Sequence, residues 1–149
     1  MSSILKLPGD TAEKLQSHTR LTSVSFTFIV PVPSKGGGAK YPEKFEWRQS
    51  RGAEVKSAAS SKYTTGWKLV RLSNENATGV GGRRKDREIG ETSDGKEVVA
   101  VWANYAKMSM TKVACFQFCG TGATGELGDE WTLMAVLSVL RLWQVTVED

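Results

Sequence analysis

The sequence predicts a mainly β protein in which a curled sheet, closed into a barrel, wraps one hydrophobic C-terminal helix. Three observations carry this. Residues 23–32, SVSFTFIVPV, set Val24, Phe26, Phe28 and Val30 in alternation with Ser23, Ser25 and Thr27, the period of a half-buried strand. Further strand-like segments follow as far as residue 119, separated by glycine-rich and polar stretches. After Gly120 the pattern changes. Trp131, Leu133, Met134, Val136, Leu137, Val139, Leu140, Leu142 and Trp143 cover nearly every direction around a helix axis. A helix that is apolar all round is enclosed or lies in a membrane, and residues 133–143 are too few for a span, which takes about 20. The preceding strands are therefore expected to enclose it.

Residues 1–22 form a polar N-terminal extension, and the domain proper is expected over 23–149. Asp10 followed by Glu13 has the form of a capping box and predicts a short helix over about residues 11–18. Pro31 and Pro33 close the first strand, and Gly36, Gly37 and Gly38 mark a loop. Phe45 and Trp47, alternating with Glu46 and Arg48, predict a second strand. Residues 50–65, rich in Ala, Ser and Lys, read as an exposed loop. GWKLVRL (66–72) is a third strand, and residues 73–94 form a long polar insertion. The turn at 92–95 opens a fourth strand over 97–105, whose VVAVWA run is apolar on both faces. A fifth, over 112–119, sets Phe116 and Phe118 on one face and Cys115, Gln117 and Cys119 on the other. Asp129 is placed to cap a helix over about 130–144, with Glu130 near its positive end. Residues 145–147 form a last short strand or a tail.

With 149 residues, 40% of them hydrophobic and 24% charged, the chain is sized and composed as one folded domain rather than a disordered segment. Lys and Arg total 20 against 16 Asp and Glu, a formal charge of +4 that suits an anionic partner without demanding one. The N-terminus has no apolar run of secretory-signal length, so a cytoplasmic protein is expected, peripheral to a membrane if it binds lipid. In an extended segment Cys115 and Cys119 stand about 13 Å apart, too far for a disulfide. Two cysteines and the distant His18 do not make a zinc site.

FEWR (45–48), GWKLVRL (66–72), DGKEVVAVWA (94–103), a Lys-led strand and the acid-capped helix ELGDEWTLMAVLSVLRLW (126–143) together resemble the tubby C-terminal-like superfamily, which includes the phospholipid scramblases. The likeness covers about residues 23–145 and is nearest the small fungal members. It implies a β-barrel wound around a hydrophobic C-terminal helix. It also implies a phosphoinositide head group held by basic residues on strands and an adjoining helix. The chain is shorter than those domains, which have about twelve strands.

Gly120, Gly122 and Gly125 fit G-x-G-x-x-G between a strand and a helix. A dinucleotide site needs a second βα half beyond it, and the sequence given ends near Glu148 and Asp149, so the glycines read as a connector. Arg83, Arg84, Lys85 and Arg87 make the densest basic cluster, after Gly79, Gly81 and Gly82. Each such cation near an anionic surface contributes on the order of 1 kcal/mol. Trp47, Trp67, Trp102, Trp131 and Trp143 fall inside strand or helix patterns and read as core, and His18 reads as a surface residue.

The leading expectation is a non-enzymatic module for phosphoinositide or another anionic lipid head group. Arg83, Arg84, Lys85 and Arg87 are its principal contacts, with Lys68 and Arg71 cooperating. The alternative is a protein–protein adaptor or effector that uses the barrel surface and long loops. A small enzyme or hydrophobic-ligand carrier is disfavoured, because the helix fills the barrel. No cofactor or metal is expected, and nucleic acid is not the expected partner.

Overall fold

The computed structural model describes residues 2–7, 12–21, 23–34, 36–58, 65–73, 92, 94–104 and 114–148. Strands β1 (Ser2–Lys6), β2 (Ala12–Arg20), β3 (Ser23–Val32), β4 (Tyr41–Ser50), β5 (Gly66–Arg71), β6 (Glu97–Asn104) and β7 (Ala114–Phe118) form one seven-stranded antiparallel sheet in chain order. Helix α1 (Ala53–Ala58) lies between β4 and β5, and α2 (Thr121–Thr124) and α3 (Gly128–Glu148) follow β7. Each strand pairs with its sequence neighbour, and register follows the hydrophobic alternation.

The expected strand over 23–32 coincides with β3, and the second strand is longer than expected, spanning Tyr41–Ser50. Four local expectations are corrected. The capping-box helix over 11–18 is instead β2. There Glu13, Leu15 and Ser17 turn to one side and Lys14, Gln16 and His18 to the other, and pairing with strands on both flanks outweighs a single capping signal. Residues 1–22 are thus not an appendage, because β1 and β2 belong to the sheet. Within the expected 50–65 loop, α1 packs Val55 against Val98, Val101 and Ala103. The expected strand or tail at 145–147 is the continuation of α3.

The larger correction concerns closure. Among the described residues β1 and β7 are the two edges of the sheet and do not pair, so the sheet is open and no barrel is formed. The helix lies across one side of it. Near the start of α3, Trp131 packs on Phe45 and Phe118, with ring centroids 5.8 and 5.6 Å apart. Further along, Arg141 Nε donates to Ser3 Oγ at 3.1 Å, so the helix runs obliquely from β7 to β1. Trp131, Met134, Ala135, Ser138 and Leu142 face the sheet, whereas Leu133, Val136, Leu140 and Trp143 remain 40%, 37%, 55% and 41% exposed. All-round apolarity does not amount to all-round enclosure. In the fold the helix buries one side and leaves an apolar stripe on the other.

Side chains explain the seating. Trp47 Nε1 donates to Ser138 Oγ at 2.8 Å, and Ser138 Oγ donates to the Ala135 carbonyl at 2.9 Å. The serine that interrupts the apolar run therefore satisfies a buried indole. Ahead of α3, Gly122 lies so close to β6 that a Cβ there would stand 2.2 Å from the Val99 carbonyl oxygen and 2.7 Å from the Trp131 ring. Gly125 adopts φ +85°, a left-handed conformation that glycine takes without strain. Gly122 and Gly125 of the G-x-G-x-x-G run thus serve the turn from β7 into α3.

Candidate functional site: the open face of the sheet

Alternation along the strands gives the sheet two chemically distinct sides. Phe26, Phe28 and Val30 of β3 and Phe45 and Trp47 of β4 turn toward α3, with Leu69, Trp102, Phe116 and Phe118. On the other side α1 shelters β5 to β7 and leaves β1 to β4 uncovered. This open face carries Lys6, Lys14, Arg20, Lys44 and Arg48. Ser23, Ser25, Thr27, Gln16 and His18 lie among them, and Ile4 and Ile29 are exposed.

Register sets the spacing. Lys14 is opposite Ile4 on β1, and Lys44 is opposite Ile29 on β3. Extending the β2–β3 register aligns Lys14 with Ile29, so one row reads Ile4, Lys14, Ile29, Lys44. Strands lie about 4.8 Å apart, which places the two ammonium stems about 10 Å from one another. Arg20 lies further along, opposite Ser23. His18 Nε2 sits 2.9 Å from Thr27 Oγ1, so the imidazole is a half-buried part of this face and not a free surface residue.

The carboxylates are distributed unevenly. Among the described residues Glu46 and, from the turn before β6, Asp94 reach the open face and are both engaged by Arg48, while Glu54 of α1 reaches its margin, where it accepts from Ser50 Oγ at 3.3 Å and pairs with Lys68. The guanidinium grips Asp94 through two parallel bonds, Nη1 to Oδ1 at 2.9 Å and Nη2 to Oδ2 at 3.0 Å, and Thr92 Oγ1 donates to the same carboxylate. The Arg48 bonds hold the Asp94 carboxyl well below the usual range against the opposing effect of burial, with Thr92 adding to them. Burial would lower the Arg48 pKa, but hydrogen bonds to Asp94 and Glu46 raise it overall. No ion pair joins Lys6, Lys14, Arg20 or Lys44 to any described carboxylate. The face is therefore a set of solvated cations pinned at one corner by a satisfied cluster.

The residues singled out from the sequence lie elsewhere. Arg83, Arg84, Lys85 and Arg87 fall outside the described residues. Lys68 and Arg71 do not converge, because they project from opposite sides of the sheet. Lys68 Nζ lies 3.6 Å from Glu54 Oε1 of α1. The Arg71 side chain is only 4% exposed and chelates Glu43. Its Nε donates to Oε1, and its Nη2 donates to Oε2 at 2.9 Å. Glu97 stands 3.9 Å from Arg71 Nη1, and it accepts from Thr121 Oγ1 at 2.7 Å. Arg71 thus ties the end of the sheet to α2 and offers no surface to a phosphate.

A cleft at the end of β4 to β6, lined by Arg51, Thr65, Trp67 and Asn104 among others, has no carboxylate, imidazole or thiol among its described lining residues. No group of three or more His, Cys, Asp or Glu among the described residues is arranged to hold a metal ion. Both cysteines are free, and burial, then the charge of Glu54, pushes the Cys119 thiol up, away from the reactive thiolate. No helix among the described residues is long and apolar enough to cross a membrane.

Three cations of the open face, Lys6, Lys14 and Arg20, lie in the segment 1–22 that local pattern leaves outside the domain, whereas Lys44 and Arg48 belong to β4. Lys14, Gln16, His18 and Arg20 form an unbroken polar set at even positions, which was the available signal. Comparison with protein-family models, curated proteins and solved structures finds no match to this chain.

Proposed function

We propose that this protein is a binding module for a phosphate polyanion, nucleic acid in particular, held across the open face of β1 to β4. The carrying observation is the row of cations without carboxylate partners among the described residues, Lys14 and Lys44 with Lys6 and Arg20 beside them, on a face that also carries Gln16, His18, Ser23 and Ser25 and the exposed Ile4 and Ile29. A chain of phosphates can follow such a face across successive strands. Its affinity would come from counterion release and fall steeply with salt. Ser, Thr, Gln and His side chains suit contacts to sugar, phosphate and base edges. The described residues of this face include no Trp or Tyr of the kind that anchors proteins at a bilayer interface. Its described residues also include no Phe, so recognition would rest mainly on the backbone.

The lipid head-group reading drew its structural reason from a helix enclosed in a barrel. The open sheet and the exposed stripe of α3 leave that reading as the alternative outcome of the same test. The test is fluorescence anisotropy with a labelled RNA stem-loop and a single-stranded oligonucleotide at 50 and 200 mM salt, alongside sedimentation with phosphoinositide-containing vesicles. Binding at low salt should weaken by at least roughly tenfold at the higher salt. The Lys14→Glu/Lys44→Glu variant should lose at least a further roughly tenfold while its melting temperature is unchanged. Oligonucleotide binding that ignores both changes overturns the proposal, as does none at low salt. Sedimentation with vesicles alone returns the function to a lipid surface.

A further inference from the structure

The two edges of the sheet differ in a way that points to a partner for one of them. An edge strand presents unpaired backbone N–H and C=O groups, and natural edges are blunted by charge, proline, bulges or cover. Edge β1, SSILK, carries Lys6 and is tied to α3 through Ser3 and Arg141. Edge β7, ACFQF, has no charged residue and no proline, and among the described residues it pairs only with β6. Its helix-side aromatics, Phe116 and Phe118, stack edge to face with centroids 4.9 Å apart, yet both are only half-buried at the margin of the core.

The outer side of α3 is apolar as well. Glu130 reaches Lys40, and Arg141 reaches Ser3, which fixes the helix over the sheet. At 100° per residue, Leu133, Val136, Leu140 and Trp143 point away from the sheet, and all four are exposed.

From these observations we infer that two copies of the chain pair edge to edge through β7, antiparallel about a two-fold axis. Such a pairing continues the sheet from one copy into the next. A strand laid antiparallel to itself is self-complementary, with each contact made twice. Phe116 and Phe118 of one copy then meet the same residues of the other and complete the half-buried aromatic row. An uncharged strand offers a foreign partner no electrostatic selection, whereas its own copy supplies the matching aromatics. The dimer carries an open basic face on each half, but the inference does not depend on what those faces bind.

Sedimentation velocity on nucleic-acid-free protein from 1 to 100 µM, combined with hydrogen exchange of the β7 amides, tests this. The expected mass is that of two chains or an even multiple, and β7 amides should gain protection as concentration rises. Gln117→Lys, placing like charges near the two-fold, should shift the mass to one chain at the same concentration without lowering the melting temperature of the dilute protein. A single-chain mass for the unmodified protein at 100 µM overturns the inference. So does a dimer whose β7 amides exchange at a rate independent of concentration, which would place the contact elsewhere. Either result leaves the nucleic-acid test untouched, because no ligand is present.

Discussion

The same kind of interaction occurs on the two sides of the sheet with opposite consequences. On the helix side Arg71 and Glu43 form an ion pair whose side chains are each 4% exposed. On the open side Arg48 and Asp94 make a comparable two-bond contact with side chains 27% and 47% exposed. A buried pair is costly to assemble but more costly to break, because removing one partner strands a charge out of water. An exposed pair contributes little, because solvent already satisfies both ions. The helix side therefore holds its charges for structure, and the open side can present its remaining cations to a ligand without loss of stability.

Breaking the buried pair gives the largest expected effect. Glu43→Ala removes the two-bond carboxylate partner of the buried Arg71 guanidinium and should cost about 3–5 kcal/mol in urea unfolding, against within about 0.5 kcal/mol for Lys44→Ala on the open face. Equal costs would show that the two sides are not energetically distinct. A smaller effect sharpens the packing half of the comparison. Gly122→Ala drives a methyl into the Val99 carbonyl and the Trp131 ring and should lower stability by about 1–3 kcal/mol, read as a shift of the urea midpoint. A neutral result would mean that α2 gives way easily.

The smallest effect tests the open side by pH. Asp94 is depressed in the folded state relative to an unfolded value near ~3.9. Below that value the unfolded chain takes up a proton that the folded chain refuses. The contribution is thus present in full above about pH 4 and is lost as pH falls toward the folded pKa. Asp94→Asn should flatten this acid slope in the melting temperature between about pH 4 and 2, by less than about 1 kcal/mol because the pair is exposed. An unchanged slope would mean that Arg48 does not hold the carboxylate in solution.

The sequence by itself determined the strands and the terminal helix wherever local pattern was strong. SVSFTFIVPV became β3 over the same residues, and ahead of β6 the Gly95 N–H donates to the Thr92 carbonyl at 3.0 Å. Phe116 and Phe118 separated from Cys115 and Gln117, as alternation requires. Only the tertiary structure decided that Ala12–Arg20 is a strand, because Leu15 is its one large apolar residue and its pairing partners β1 and β3 supply what propensity does not. The candidate site was illegible for the same reason, since Lys14 and Lys44 are 30 residues apart in the chain and become neighbours only through the β2–β3–β4 register. Sheet closure was equally beyond local pattern, because whether β1 meets β7 is set by twist and by which strand pairs form at long range. Apolar periodicity states how much of a helix prefers to leave water, and the architecture decides which sides of it do.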